Sequence, residues 1–154
     1  MVEPAIGRHR LAERVFAPWP DFARALHSDG LPLTSLESGR PLCDFDIVAI
    51  CLPRELAATT VLELLDLGGI PIDAEKRDER HPLVIAWEEA PTNPEPLASF
   101  VDAFLIGDAE VLFPGVVDAW RDLGGEAGHP PPRSDLLHRL TSETGIYVPS
   151  LHDT

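Results

Sequence analysis

Short apolar runs alternate along the chain with stretches of helical spacing. Residues 47–52 and 83–86 are continuously apolar, which is typical of parallel strands covered by helices on both faces. Both are therefore predicted as central strands. Residues 104–106 indicate a third buried strand, and residues 14–16 and 31–36 are weaker candidates. The pattern predicts about five strands.

Amphipathic stretches separate these strands. Residues 55–67 place apolar side chains on one face and Glu63 and Asp66 on the other, and Gly68 and Gly69 end the helix. Further helices are predicted over residues 21–27 and 110–123, with a helical turn at 96–101. This alternation predicts a three-layer α/β domain with a flavodoxin-like, five-stranded parallel sheet in the order 2-1-3-4-5.

A change of composition suggests where the compact domain ends. Residues 126–133 include three consecutive prolines, which no helix interior or inner strand accommodates. We therefore expect an α/β domain over residues 1–125, followed over residues 126–154 by a connector and tail. A short helix at 134–140 and an apolar segment at 146–149 lie in that tail, and such an apolar segment is expected to pack on something.

Composition narrows the classes of function. The chain has 154 residues, suited to one domain, and its net charge of −14 repels phosphate backbones and anionic lipid. Nucleic acid and membrane partners are therefore not expected. With two cysteines, Cys43 and Cys51, and no apolar leader, the chain is expected in the reducing cytoplasm, without a metal site. Cys51 is interpreted as a small buried hydrophobe.

Several motifs together resemble a known family. They are Leu-Glu-Ser-Gly-Arg-Pro-Leu at 36–42, Leu-Asp-Leu-Gly-Gly-Ile-Pro at 65–71, Asn-Pro-Glu-Pro-Leu-Ala at 93–98 and Ile-Gly-Asp at 106–108. From about Glu13 to its end, the chain is similar to the N-terminal cobalamin-binding-like domain of a bacterial group of radical S-adenosylmethionine (radical SAM) proteins. The resemblance implies a flavodoxin-like domain preceding a catalytic barrel with a C-x-x-x-C-x-x-C motif.

The chain departs from that family in its ligand loops. Trp87, Glu88 and Glu89 stand where the family has Gly-Gly-Pro, Ala109 replaces a glycine, and Pro-Arg replaces Gln-Tyr at 53–54. The surrounding strands and helices match. We therefore expect a retained scaffold with an altered pocket, in which a corrin ring binds weakly or not at all because Trp87 occupies the space that the family leaves open.

The carboxyl ends of parallel strands form the ligand edge of such a sheet. That edge and the resemblance together give these candidate cofactor-binding residues: Leu52, Glu55, Thr59, Trp87, Asn93, Gly107, Asp108 and Glu110. Most have a structural alternative. Glu55, Asp108 and Glu110 favour helix N-termini, Gly107 allows a strand-to-helix turn, and Asn93 is typical of a rigid turn. No catalytic or metal-binding residue is predicted.

Two functions from different classes remain open. The first is a non-catalytic, cobalamin-binding-like N-terminal domain of a radical SAM protein, with a catalytic domain in cis or in trans as its partner. The second is a stand-alone degenerate domain that holds no cofactor and binds another protein. The resemblance allows cobalamin as a cofactor, whereas an iron–sulfur cluster and S-adenosylmethionine would belong to the catalytic domain. The only lysine, Lys76, lies in a loop, which argues against a phosphorelay receiver.

Overall fold

The computed structural model describes residues 11–52, 58–88 and 93–152. The chain folds into an α/β domain, as the alternation of apolar runs and amphipathic stretches predicts. Its helices are α1 (Pro20–Asp29), α2 (Ala58–Leu67), α3 (Ala109–Asp122) and α4 (Arg133–Thr141), and its strands are β1 (Ile47–Leu52), β2 (Leu83–Glu88), β3 (Ala103–Leu105) and β4 (Ile146–Tyr147). Among the described residues, every helix is too short or too polar to span a bilayer.

The described strands form one four-stranded sheet in the order β1-β2-β3-β4. β1 and β2 pair in parallel with Ile47 opposite Leu83, and β2 and β3 pair in parallel with Ile85 opposite Ala103. β4 pairs with β3 in the antiparallel direction. The sheet is thus mostly parallel.

Side chains alternate across β2 and build a core on each face of the sheet. Val84 and Ala86 join a first core cluster with residues of α1 and α2. Leu83 and Ile85 join a second core cluster with residues of α3 and α4. Helices thus pack against both faces of the sheet.

The predicted five-stranded sheet differs from the observed one. Residues 14–16 and 31–36 form no strand among the described residues, and Thr34 makes only an isolated bridge to Pro41. Leu33 and Ser35 are buried in alternation, which gives residues 31–36 a strand-like pattern. However, the Leu33 N–H bonds to the Leu67 carbonyl at the end of α2, and the Ser35 N–H bonds to the Arg40 carbonyl in its own turn.

The direction of β4 follows from the two helices before it. β3 leaves the sheet at its carboxyl edge, α3 returns the chain to the opposite edge, and α4 brings it forward again, so β4 must run backward. Residues after 125 thus add the strand β4 to the sheet and the helix α4 to the second core cluster. The division at residue 125 stays a prediction.

Within the described sheet, β1 is the first strand in the order, at the edge, whereas its apolar run predicted a central strand. Ile50 and Leu52 are buried in the first core cluster, but Ala49 and Cys51 are exposed on the other face. The prediction of a buried Cys51 was therefore wrong. An apolar run shows that a strand is partly buried, but it does not show where the strand lies in the sheet.

Candidate functional site

The parallel strands β1, β2 and β3 end at one edge of the sheet, at Leu52, Glu88 and Leu105. This carboxyl edge is where ligands bind in open α/β sheets, most often where the strand order reverses. In the described sheet the order is sequential, so no reversal opens a crevice between neighbouring strands.

Three of the predicted cofactor-binding residues lie on β1, on α2 and in the segment between these two elements. Leu52 is 2 % exposed and belongs to the first core cluster. Thr59 is exposed near the start of α2. Glu55 lies outside the described residues. Leu52 thus packs inward, and only Thr59 of the two described candidates presents its side chain to solvent.

Trp87 lies one residue before the end of β2. Its register partners are Cys51 on β1 and Leu105 on β3. The side chain is half-buried and packs against the second core cluster. The indole therefore covers apolar side chains near the carboxyl edge, on the face that α3 occupies.

The loop between β3 and α3 is closed by an apolar side chain. Gly107 has a φ of 140°, which side-chain-bearing residues rarely adopt. A Cβ atom there would lie 3.4 Å from Leu112 Cδ1, and a Cβ on Gly145 would lie 3.1 Å from both Leu112 methyl groups. Leu112 thus fills the space beside both glycines, where a bare backbone would otherwise admit a ligand.

The polar candidates of this edge have structural roles. Asp108 is the N-cap of α3, and its Oδ1 accepts the Glu110 N–H at 3.0 Å. Glu110 is exposed in the first turn, where the helix dipole favours a negative charge. Asn93 Oδ1 accepts the Glu95 N–H at 3.1 Å, which is the local turn expected from its sequence.

A buried ionic cluster lies at the opposite, amino edge of the sheet, and sequence reasoning missed it. Asp102, directly before β3, is 4 % exposed, and its Oδ2 accepts the Val84 N–H at 2.7 Å. The same oxygen pairs with Arg133 of α4 and lies 3.1 Å from Nη1 of Arg77. One carboxylate therefore ties two arginines to the start of two strands.

Arg77 is held mainly by carbonyl oxygens. Its Nε donates to the Pro71 carbonyl at 2.9 Å, and its Nη2 donates to the Ile72 and Phe100 carbonyls at 2.9 and 2.6 Å. Its Nη1 is buried and paired with Asp102 without hydrogen-bond geometry. Burial lowers the pKa of the guanidinium, and the Asp102 carboxylate opposes that shift. These contacts give the cluster a structural role.

The described residues offer little for metal chemistry. Across residues 11–52, 58–88 and 93–152, no three His, Cys, Asp or Glu side chains are grouped to hold a metal ion. Cys43 is half-buried and Cys51 is exposed. Burial, with Asp44 adjacent, raises the pKa of the Cys43 thiol, which favours the protonated form over the nucleophilic thiolate.

Comparison with known proteins adds one finding. The model of a family described as "Radical SAM proteins, N-terminal" matches residues 7–149. That match covers the sheet, both core clusters and residues 126–149 of the segment after residue 125. No curated protein and no solved structure matches the chain.

Proposed function

The chain belongs to the family of radical SAM N-terminal domains, and we propose that it serves there as a non-catalytic scaffold that binds no corrin. Its role is to contact a radical SAM catalytic domain, in cis or in trans. The observation that carries the proposal is the filled carboxyl edge, where Leu112 packs beside Gly107 and Gly145.

A corrin ring is broad and flat, so it needs open backbone at the strand ends. On the described part of the edge, Leu112 and the core-packed Trp87 take up that space. Seating a corrin would require both half-buried side chains to leave apolar neighbours, at a cost of roughly 25 cal/mol for each Å² of apolar surface exposed. The packing of Leu112 and Trp87 therefore supports the proposal that the described part of this edge does not fit cobalamin.

The negative charge at the carboxyl edge also disfavours binding of a corrin. Asp108 and Glu110 are exposed there, and Asp108 already caps α3. A large ligand laid over these carboxylates would remove water from them without supplying a cationic partner, which is unfavourable. The strands and helices below the edge are well packed, which suits a domain retained for its shape.

The radical chemistry of such proteins requires an iron–sulfur cluster held by thiolates. This chain has two cysteines, Cys43 and Cys51, too few for the three thiolates of a C-x-x-x-C-x-x-C motif. The cluster and S-adenosylmethionine are therefore assigned to the partner catalytic domain.

Anaerobic reconstitution with ferrous iron and sulfide tests the non-catalytic part of this proposal. We expect no stoichiometric thiolate-to-iron charge-transfer band from the purified chain, because two thiols cannot hold a cluster. The matched control is the double variant Cys43→Ser with Cys51→Ser, which should give the same absorption spectrum. A stoichiometric band that disappears in this double variant would contradict the proposal.

A further inference from the structure

The helix α3 carries a proline and a glycine in its interior. Pro114 and Gly115 follow its first turn, and the helix continues beyond them to Asp122. Proline has no N–H to donate to the carbonyl four residues earlier, here that of Glu110, and glycine favours the helix less than any residue except proline. Both residues therefore weaken the connection between the first turn of α3 and the rest of the helix.

A second point of backbone freedom lies directly before the helix. Gly107 has a φ of 140°, in a region that glycine samples freely and other residues rarely enter. We call residues 108–112, between this glycine and the interior proline, the plug segment. Its last residue, Leu112, fills the space beside Gly107 and Gly145. The plug segment thus has a possible hinge on each side.

The plug segment is anchored by less buried surface than the rest of α3. Three of its five residues are exposed, and Ala109 and Leu112 are only partly buried against the second core cluster. In contrast, Phe113, Val116 and Val117 are buried members of that cluster. Segments with few buried apolar contacts open at a lower free energy than the core does. We therefore expect the plug segment to open before the remainder of the helix.

Packing does not explain the glycine at position 115. A Cβ atom on Gly115 would lie 3.9 Å from Glu143 Oε2, which is ordinary van der Waals contact. Its φ is not positive either, in contrast to that of Gly107. An alanine would therefore fit at position 115, and what the glycine adds is freedom of the backbone.

We propose that the plug segment opens as a unit, by rotation about Gly107 and about the Pro114–Gly115 pair. In the closed state, Leu112 lies beside Gly107 and Gly145. In the open state, this side chain leaves and the backbone of both glycines becomes accessible at the carboxyl edge. The motion is a conformational device of this chain, so it can be measured without a partner or a cofactor.

Opening of the plug segment changes only part of the carboxyl edge. Trp87 lies on β2, outside the segment, and keeps its packing against the second core cluster. The scaffold role proposed above therefore does not depend on this motion, and different measurements test the two proposals.

Native-state hydrogen exchange of the isotope-labelled chain, followed by NMR, tests this inference. Opening separates the Gly115 and Val116 N–H groups from their acceptors in the plug segment, whereas the Ile106 N–H keeps its 2.8 Å bond to the Gly145 carbonyl. After correction for intrinsic rates, we expect the Gly115 and Val116 amides to exchange at least about tenfold faster than those of Ile106 and Trp120. Equal protection of all four amides would overturn the proposal.

Variants of the hinge separate this motion from ordinary fraying of a helix end. Gly115→Ala should slow exchange of the Val116 amide by about fivefold, and Pro114→Ala by at least about tenfold, because each favours the helix at the hinge. Leu112→Ala should accelerate it by about tenfold, because the side chain that holds the segment closed is lost. Ser28→Ala, at an exposed position of α1, is the matched control and should leave it unchanged. A response to Gly115→Ala no larger than that to Ser28→Ala would overturn the hinge.

Discussion

Replacing Asp102 by asparagine is expected to lower the free energy of unfolding by about 3–5 kcal/mol. One carboxylate oxygen accepts the Val84 N–H and pairs with both Arg77 and Arg133. The Arg77 side chain has no exposed surface, so the variant leaves a buried charge without its counter-ion. Urea denaturation followed by circular dichroism measures the loss.

Asp122→Asn, at the exposed end of α3, is the matched control and should change stability by less than about 0.5 kcal/mol. A double-mutant cycle with Arg133→Ala then isolates the pairing of Asp102 with α4. If Asp102→Asn were no more destabilising than Asp122→Asn, the buried cluster would not support the fold.

The second large effect is expected at Leu140, which has no exposed surface and belongs to the second core cluster. Leu140→Ala should cost about 2–5 kcal/mol, the range for a leucine truncated inside a packed core. Because Leu140 lies on α4, the variant reports whether residues after 125 unfold together with the preceding domain. Thermal denaturation monitored in the near- and far-ultraviolet shows whether one transition shifts as a whole.

Leu151→Ala is the matched control, since Leu151 also lies after residue 125 but is 38 % exposed. It should have a much smaller effect. A Leu140→Ala variant that leaves the main transition in place and melts only a minor part of the helical signal would contradict a single cooperative unit.

The sequence predicts most of the regular elements because their patterns are local. Pro20 at the start of α1 and Gly30, with a φ of 63° after its end, are ordinary helix signals. Asp108 caps α3 where the sequence places it. The apolar runs of β1 and β2 likewise give parallel strands in the predicted places.

The sheet order could not be derived in the same way, because pairing is a long-range property. β4 is a two-residue strand whose direction depends on two helices and a proline-rich connector. The edge position of β1 likewise depends on which segments pair with it, and Pro32 and the turn after Ser35 divert residues 31–36 from that role.

The sequence places the ends of the strands, but it does not predict the packing around them, and the cofactor-binding role of these residues stays a prediction. The carboxyl edge lies where the strand ends placed it, and Asn93, Gly107 and Asp108 take the structural roles that were their alternatives. The burial of Arg77 could not be predicted, because its partner Asp102 is distant in sequence. No sequence pattern pointed to Leu112, because its contact with two glycines depends on how α3 packs against the sheet.

Titration of the purified chain with hydroxocobalamin, followed by the visible spectrum and by tryptophan fluorescence, tests the central claim most directly. The filled carboxyl edge predicts no saturable change at micromolar concentrations, and binding should appear only in the double variant Trp87→Gly with Leu112→Ala, which removes both side chains that fill the described part of the edge. Micromolar binding by the unaltered chain would contradict the claim that this domain is a scaffold without a corrin.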